Sequence, residues 1–253
     1  MEHDDVTVTG FGDGAECAAR YLAVRDRIAD AARAAGRDPA EVRLLPVSKT
    51  VPAERLRRAW PGLRDAGCVT LAENRVQEAA AKAGEVPGPR WAVIGPLQTN
   101  KAGQLAAFAD EFQALDRPKV AAALQRRLAD AGRTLDVLIQ VNTSGEAQKA
   151  GVAPEGTEAF VADFGPEGPY PNLRLRGFMT MAMLSDDAAA VRGCFARLRE
   201  LRDEIAANAP DGVDLAELSM GMSGDFEAAI AEGSTTVRVG RAIFGERPPV
   251  GPR

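Results

Sequence analysis

The sequence predicts an α/β protein, a single closed (β/α)8 barrel of the TIM type with an extra helix in front of it. The chain has 253 residues, enough for one large domain with a substantial core. Short apolar runs alternate with segments of helical composition, which indicates a parallel sheet. Eight such units in this length favour a closed barrel, with an open doubly wound sheet as the alternative.

Eight apolar runs are expected to form the strands of this barrel. They lie at residues 42–47, 68–71, 91–97, 111–115, 135–141, 173–181, 215–220 and 236–244. The second and fourth runs are short and partly polar, so the strand count depends most on them. The clearest helical segments between the runs are residues 52–66, 73–83, 119–131 and 186–207.

The N-terminal region predicts a tail followed by the additional helix. We expect residues 1–14 to form a flexible tail and residues 15–253 to form one barrel domain, because no linker or repeat divides the chain. The additional helix covers residues 15–35, where Gly36 is the expected C-cap. The only histidine, His3, lies in the tail, so the sequence offers no candidate for a Ser-His-Asp triad or a His-ligated metal.

Composition excludes several classes of protein. The net charge is -5 and the pI is about 5.2, which argues against a nucleic-acid-binding protein. Three separated cysteines without a CxxC pair predict neither a disulfide framework nor a zinc site and fit a reducing cytosol. The sequence shows no secretory signal and no membrane-spanning stretch. We therefore expect a cytoplasmic protein with no nucleic-acid or membrane partner. We also expect a monomer, because no long exposed apolar strand or coiled-coil heptad in the sequence argues for assembly.

Lys49 follows the first apolar run and is the first candidate functional residue. Active sites of parallel barrels gather at the C-terminal ends of the strands. Burial favours the neutral form of a lysine, because desolvation disfavours the ammonium ion, and a neutral amine can attack an aldehyde to form a Schiff base. A solvated lysine at a strand end is the alternative.

The ends of the last two runs predict a phosphate site. Barrels often hold phosphate between the loops after strands 7 and 8. Residues 219–224 lead into a helical start, Ser223 can donate a hydroxyl, and Gly240 permits a close approach by the backbone. The alternative is that these glycines only shape turns. An amine beside a phosphate site suggests pyridoxal phosphate (PLP), an aldehyde that carries a phosphate group.

Arg238 and two asparagines complete the predicted site. Arg238 lies two residues before Gly240 on the same run, so both should face the same side. Against a pyridine nitrogen, Arg238 would donate a hydrogen bond and keep that nitrogen unprotonated, which makes the ring a poor electron sink. The alternative is an inward arginine paired with a carboxylate such as Glu73. Asn74 lies on the expected rim, and Asn142 either bonds near the ring or caps the next loop.

Six segments carry a family resemblance. They are LPVSKT at 45–50, ENRVQE at 73–78, IGPLQTNK at 94–101, IQVNTSGE at 139–146, LSMGMSGDFE at 218–227 and VRVGRAIFG at 237–245. In this order they resemble the YggS/PROSC-like pyridoxal phosphate homeostasis family, which is similar to the N-terminal barrel of alanine racemase. The resemblance implies a (β/α)8 barrel with PLP bound as a Schiff base on Lys49 and with Arg238 facing the pyridine nitrogen.

The resemblance also implies a phosphate site made by Ser223 and by backbone groups of Met222, Gly240 and Arg241. The expected cofactor-binding residues are therefore Lys49, Asn74, Met222, Ser223, Arg238, Gly240 and Arg241. The chain departs from the family at Arg75, where many members have tyrosine, and at Ala92 and Pro96, where histidines are common. Arg241 stands where a small hydroxyl residue is common, so its contact is expected from the backbone N–H.

The sequence favours a binding protein over an enzyme. Racemisation needs an acid/base group on each face of the bound substrate. In alanine racemase the second group is a tyrosine from an added domain, whereas Tyr21 and Tyr170 of this chain lie away from the expected strand ends. We expect a non-catalytic carrier or regulator of intracellular PLP, with PLP-dependent apo-enzymes as candidate partners. The alternatives are a small PLP-dependent amino-acid racemase and a barrel that binds another phosphorylated metabolite.

Overall fold

The computed structural model describes residues 14–146 and 149–245, and its core is an eight-stranded parallel barrel. The strands are β1 Arg43–Pro46, β2 Thr70–Glu73, β3 Arg90–Val93, β4 Glu111–Leu115, β5 Leu135–Gln140, β6 Leu173–Met179, β7 Glu217–Met222 and β8 Thr236–Val239. From β2 to β8 each strand pairs with the next along the chain, and β8 pairs with β1. A bridge between Val47 and Ala72 joins the ends of β1 and β2. The predicted barrel is confirmed, including its second and fourth strands.

Helices cover the outside of the barrel. They are α1 Gly14–Ala34, α2 Ala53–Asp65, α3 Val76–Glu85, α4 Ala102–Phe108, α5 Pro118–Ala131, α6 Pro154–Ala162, α7 Ala188–Ala206, α8 Phe226–Ala231 and α9 Arg241–Phe244. The helix α1 is the predicted additional helix. It buries Cys17, Tyr21, Val24 and Ile28, whose spacing of three and four residues places them on one face.

Some predictions for the chain termini concern residues outside the described ranges. These are the tail, apart from Gly14, and His3, together with residues 246–253 of the predicted domain. Gly14 itself begins α1. Within the described ranges, no helix is both long and apolar enough to cross a membrane.

Several element boundaries differ from the sequence prediction, and two of them bear on the site. Strand β2 extends to Glu73, whose carbonyl accepts a hydrogen bond from the Ile94 N–H at 2.9 Å, so the helix predicted from residue 73 begins at Val76. Strand β8 ends at Val239, and the remainder of that apolar run is the helix α9. Short apolar runs fit buried strands and buried helices equally well, which explains the second error.

Alternation along β1 determines which side chains face the barrel axis. Leu45 and Val47 pack with Ala72 and Ala92 inside the barrel, whereas Leu44 packs with the surrounding helices. Side chains two residues apart on a strand share a face. Position 49, in the turn that follows β1, has the same parity as Leu45 and Val47 and lies at the C-terminal mouth.

Gly177 in β6 provides a test of the strand packing. Its φ is +144°, and a Cβ at this position would lie 1.9 Å from the Glu217 carbonyl oxygen of β7. We expect Gly177→Ala to lower the free energy of unfolding by about 3 kcal/mol or more, because it combines backbone strain with a clash. Urea denaturation measures this change.

Gly193 provides the control for that substitution. It is exposed in α7, and a Cβ there would have no atom within 4 Å. Gly193→Ala should stabilise the protein by up to about 1 kcal/mol through helix propensity. Equal stabilities for the two variants would contradict the described packing of β6 against β7.

Candidate functional site

The structure places Lys49 beside the end of β8. The Val47 N–H donates to the Val239 carbonyl oxygen at 2.9 Å. A Cβ on Gly240 would lie 2.9 Å from the Val47 carbonyl oxygen, so the two backbones approach closely there. Lys49 is half-buried and lies two residues beyond Val47. Lys49 and Gly240, 191 residues apart in the chain, therefore leave neighbouring strands at the same mouth of the barrel.

The loop from β7 to α8 forms the other part of the predicted phosphate site. Met222 pairs in register with Arg238, and the half-buried Ser223 follows it. The Met222 N–H donates to Asp225 Oδ1 at 2.5 Å. A phosphate contact through this N–H therefore requires the Asp225 carboxylate to move. At the neighbouring strand end, Gly240 leads directly into α9, whose first residue, Arg241, is exposed.

Arg238 lies inside the barrel and is fixed by two hydrogen bonds. Its Nη1 donates to Ser219 Oγ at 2.8 Å, and its Nη2 donates to the Thr180 carbonyl oxygen at 2.9 Å. Burial lowers the pKa of Arg238 to about 10, and the Asp225 charge opposes this shift in part. The guanidinium is therefore still protonated at neutral pH. The alternative pairing of Arg238 with Glu73 is wrong, because Glu73 lies in a different cluster.

That cluster surrounds Lys82 of α3, and we call it the Lys82 clamp: Ser48, Glu73, Glu78 and Lys82. The Lys82 Nζ donates to the Ser48 carbonyl oxygen at 2.8 Å, to Glu73 Oε1 at 2.6 Å and to Glu78 Oε1 at 2.7 Å. These acceptors match the three protons of an ammonium group. The Ser48 hydroxyl also donates to Glu73 Oε1 at 2.7 Å, and both side chains are buried.

The Lys82 clamp fixes the backbone on both sides of Lys49. The Ser48 carbonyl is bound by Lys82, and the Thr50 N–H donates to Glu78 Oε1 at 2.8 Å. Thr50 has a φ of +69° and is the one non-glycine residue with a positive φ among those described. A β-branched residue is strained there, so the surrounding contacts must hold it. The clamp thus sets where the Lys49 side chain leaves the backbone.

Charge within the Lys82 clamp depends on burial and on the ammonium group. Burial raises the pKa of the Glu73 carboxyl, although Lys82 and Ser48 oppose the shift. Burial acts in the same direction on Glu78, but hydrogen bonds from Lys82 and the Thr50 N–H outweigh it and lower the pKa of Glu78. Sequence reasoning missed this cluster. The i,i+4 spacing of Glu78 and Lys82 on a predicted helix was the available signal.

The two asparagines take different positions. Asn74 is half-buried directly after β2, and a Cβ on Gly95 would lie 2.1 Å from its carbonyl oxygen, so the chain needs glycine at residue 95. Asn74 therefore lies at the C-terminal mouth. The Asn142 Nδ2 donates to the Glu146 carbonyl oxygen at 2.9 Å. Of the two roles considered for Asn142, the structure shows the loop cap.

Both tyrosines are buried against helices. Tyr21 is buried in α1, and this burial raises its pKa to about 12. Tyr170 is buried three residues before β6, and its hydroxyl lies 3.5 Å from the carbonyl oxygen of Pro118, the first residue of α5. In the part of the chain that the structure describes, no group of three or more His, Cys, Asp or Glu residues is arranged to hold a metal ion.

Sequence comparison shows the family of the chain. The family model described as "Alanine racemase, N-terminal domain" matches residues 21–248. A pyridoxal phosphate homeostasis protein of Pseudomonas aeruginosa is 45% identical over 227 residues, which are 88% of this chain and 93% of the relative. A protein of the same name from Escherichia coli K12 is 39% identical over 229 residues, covering 88% of this chain and 94% of the relative.

Solved structures agree with this relationship. A protein from Bifidobacterium adolescentis is 36% identical, with a TM-score of 0.82 over 90% of this chain and 94% of its own. PipY of Synechococcus elongatus PCC7942, solved with PLP bound, is 34% identical, with a TM-score of 0.77 over 90% of this chain and 100% of PipY. The alanine racemase of Corynebacterium glutamicum shares the fold, with a TM-score of 0.67 and 16% identity over 96% of this chain and 66% of the racemase. The chain belongs to the alanine racemase N-terminal domain family, in which it is similar to the pyridoxal phosphate homeostasis proteins.

Proposed function

We propose that this protein binds PLP and serves intracellular PLP homeostasis, with the cofactor held as a Schiff base on Lys49. The proposal rests chiefly on the close approach of Gly240 to Val47, which brings the segments that carry Lys49 and Gly240 to one mouth of the barrel, where Arg238 is buried. The names of the relatives and the PLP bound to PipY support it. In this function the protein acts in the cytoplasm as a monomer, and PLP-dependent apo-enzymes are the candidate recipients of its PLP.

The donor set of the site fits each part of PLP. Lys49 offers an amine for the aldehyde, and Arg238 offers a fixed cationic donor for the pyridine nitrogen. Gly240 leaves backbone exposed where a side chain would come within 2.9 Å of the Val47 carbonyl oxygen. Ser223 offers a hydroxyl for the phosphate, together with the backbone N–H groups of Gly240 and Arg241. When bound, PLP supplies a reactive aldehyde and an electron-withdrawing ring.

Binding at Lys49 requires the neutral amine. The Lys49 Nζ adds to the aldehyde carbon, and one molecule of water leaves as the C=N bond forms. The Lys82 clamp assists by presenting the side chain from a fixed backbone, which reduces the conformational entropy lost on binding. The Met222 N–H joins the phosphate contacts when the Asp225 carboxylate withdraws from it.

The arrangement favours a carrier over a racemase. Arg238 stays protonated and keeps a pyridine nitrogen beside it unprotonated, which weakens stabilisation of a carbanion. Both tyrosines of the chain are buried against helices, so neither is exposed to a ligand as a second acid/base group. Reversible formation and hydrolysis of the Schiff base is sufficient for storing and releasing PLP.

A visible absorption spectrum tests the proposed function. Wild-type protein incubated with PLP should develop the visible band of a protonated Schiff base, and Lys49→Ala should lack it. Lys101→Ala is the matched control, because Lys101 is a half-buried lysine in the loop after β3 at the same mouth. A wild-type spectrum identical to that of free PLP would refute the proposal.

Exchange of the α-proton of an amino acid distinguishes the carrier from the racemase. Exchange of the α-proton of alanine or serine in heavy water, at enzyme-like rates and dependent on Lys49, would contradict the carrier function and support the racemase. We expect no such exchange above the rate given by free PLP.

Glu78→Ala tests the role of the Lys82 clamp. The substitution releases the Thr50 N–H and one proton of Lys82, so PLP binding should weaken about tenfold, as expected for a lost charge-assisted hydrogen bond. Glu85→Ala, an exposed change on the same helix, should leave affinity unchanged. Spectroscopic titration with PLP measures both variants, and equal affinities would contradict a role for the clamp in binding.

The same variant predicts a pH dependence of stability. The pKa of Glu78 is lowered in the folded protein, so its contribution is present above the unfolded-state pKa and is lost as pH falls through the folded-state value. The difference in unfolding free energy between wild type and Glu78→Ala should therefore be full at neutral pH and shrink below about pH 4. A difference that grows towards acid pH would contradict this assignment.

A further inference from the structure

We infer that Ser219, Gln113 and Glu111 form a buried positioning column that fixes the guanidinium of Arg238 for the pyridine ring. The inference rests on the proposed function, because it takes Arg238 to face the pyridine nitrogen of bound PLP. None of the three residues belongs to the predicted cofactor-binding set. Their side chains lie beneath Arg238 in the barrel interior and extend to the N-terminal mouth.

The positioning column is a continuous series of hydrogen bonds. The Arg238 Nη1 donates to Ser219 Oγ at 2.8 Å, and the Ser219 hydroxyl donates to Gln113 Oε1 at 2.7 Å. The Gln113 Nε2 donates to Glu111 Oε1 at 2.5 Å. Arg43 binds Glu111 with both Nη atoms, at 2.9 and 2.8 Å. The column thus runs from β8 through β7 and β4 to β1.

The hydrogen bonds of the column join side chains that are buried from solvent. Ser219 and Gln113 have no exposed surface, and Arg238 and Glu111 are 4% and 8% exposed. A polar group without a partner in such surroundings loses its hydration without compensation. Each member is therefore constrained to keep its contacts, and the hydrogen bonds cannot be exchanged for water without opening the barrel.

The chemistry of the two ends gives the column a direction. Arg238 can only donate, so Ser219 Oγ must accept from it and direct its single proton to Gln113 Oε1. That contact turns the Gln113 amide so that Nε2 faces Glu111. Burial would raise the pKa of Glu111, but the Arg43 charge and hydrogen bonds outweigh it and hold that pKa below its ordinary value. Glu111 is therefore an ionised acceptor at neutral pH.

A second contact fixes the plane of the guanidinium. The Arg238 Nη2 donates to the Thr180 carbonyl oxygen, and the Thr180 hydroxyl donates to the Val141 carbonyl oxygen at 2.8 Å. Two anchored nitrogens prevent the guanidinium from rotating about its long axis. Loss of Ser219 Oγ would leave only the contact with the Thr180 carbonyl oxygen and free that rotation.

The position of the Arg238 charge should set the protonation of the bound cofactor. A cation close to the pyridine nitrogen disfavours protons on the ring and on the Schiff base, so a displaced cation should raise the pH at which the visible band titrates. Among the described residues, the charge of Asp225 in the loop after β7 acts on Arg238, and the charge of Glu111 lies at the far end of the column. Neither charge is altered by a change at Ser219.

Ser219→Ala and Ser234→Ala form the matched pair for the experiment. Ser234 is also fully buried, and its hydroxyl lies 2.7 Å from the Met220 carbonyl oxygen, outside the column. The measurements are the pH midpoint of the visible band and the dissociation constant for PLP, with thermal unfolding of the PLP-free protein recorded alongside. Ser219→Ala should raise the midpoint by about one pH unit and weaken binding about tenfold.

Both substitutions remove one buried hydroxyl, so both should lower thermal stability. Ser234→Ala should leave the pH midpoint unchanged, because Ser234 lies outside the column. Gln113→Met, which keeps the length of the side chain but removes both of its polar contacts, is the second column variant and should raise the midpoint in the same direction. A midpoint unchanged in both column variants, or moved equally by Ser234→Ala, would overturn the inference. A wild-type protein without any visible band would instead overturn the proposed function.

Discussion

A single buried ammonium group holds the segment that carries the proposed reactive lysine. Lys82 binds the carbonyl before Lys49, and through Glu78 it holds the N–H after it. Removing either carboxylate would leave a buried charge underpaired, so the cluster is fixed by its own electrostatics. The strained backbone of Thr50 persists because these contacts determine it. The flexible side chain of Lys49 therefore starts from a fixed backbone position.

The barrel interior applies the same physical constraint to the second proposed contact. Arg238 is a charge in a buried environment, and its position is fixed by oriented hydrogen bonds instead of a neighbouring carboxylate. A direct carboxylate partner would neutralise the guanidinium at the point where the proposed pyridine nitrogen lies. The nearest links of the column are neutral, and its ionised member, Glu111, is paired with Arg43 at the other mouth. The cation therefore remains available to a ligand.

The sequence predicted the features that depend on short-range pattern. Eight apolar runs identified eight strands, and the parity of Arg238 with Gly240 correctly indicated that Arg238 points inward. The Lys82 clamp was missed because Glu73 was assigned to a helix, whereas it ends β2. The column was missed for a different reason. Gln113 and Ser219 are 106 residues apart, and their contact depends on the stagger between strands, which alternation of apolar residues does not specify.

The proposed function depends on condensation of the Lys49 amine with the aldehyde of PLP. Reduction of the PLP-loaded protein with borohydride, followed by proteolysis and mass spectrometry, tests this most directly, because reduction fixes only a C=N bond. We expect a phosphopyridoxyl group on the peptide that contains Lys49 and on no other lysine at comparable occupancy. Loss of all added mass after reduction, or its attachment mainly to another lysine, would contradict a Schiff base on Lys49.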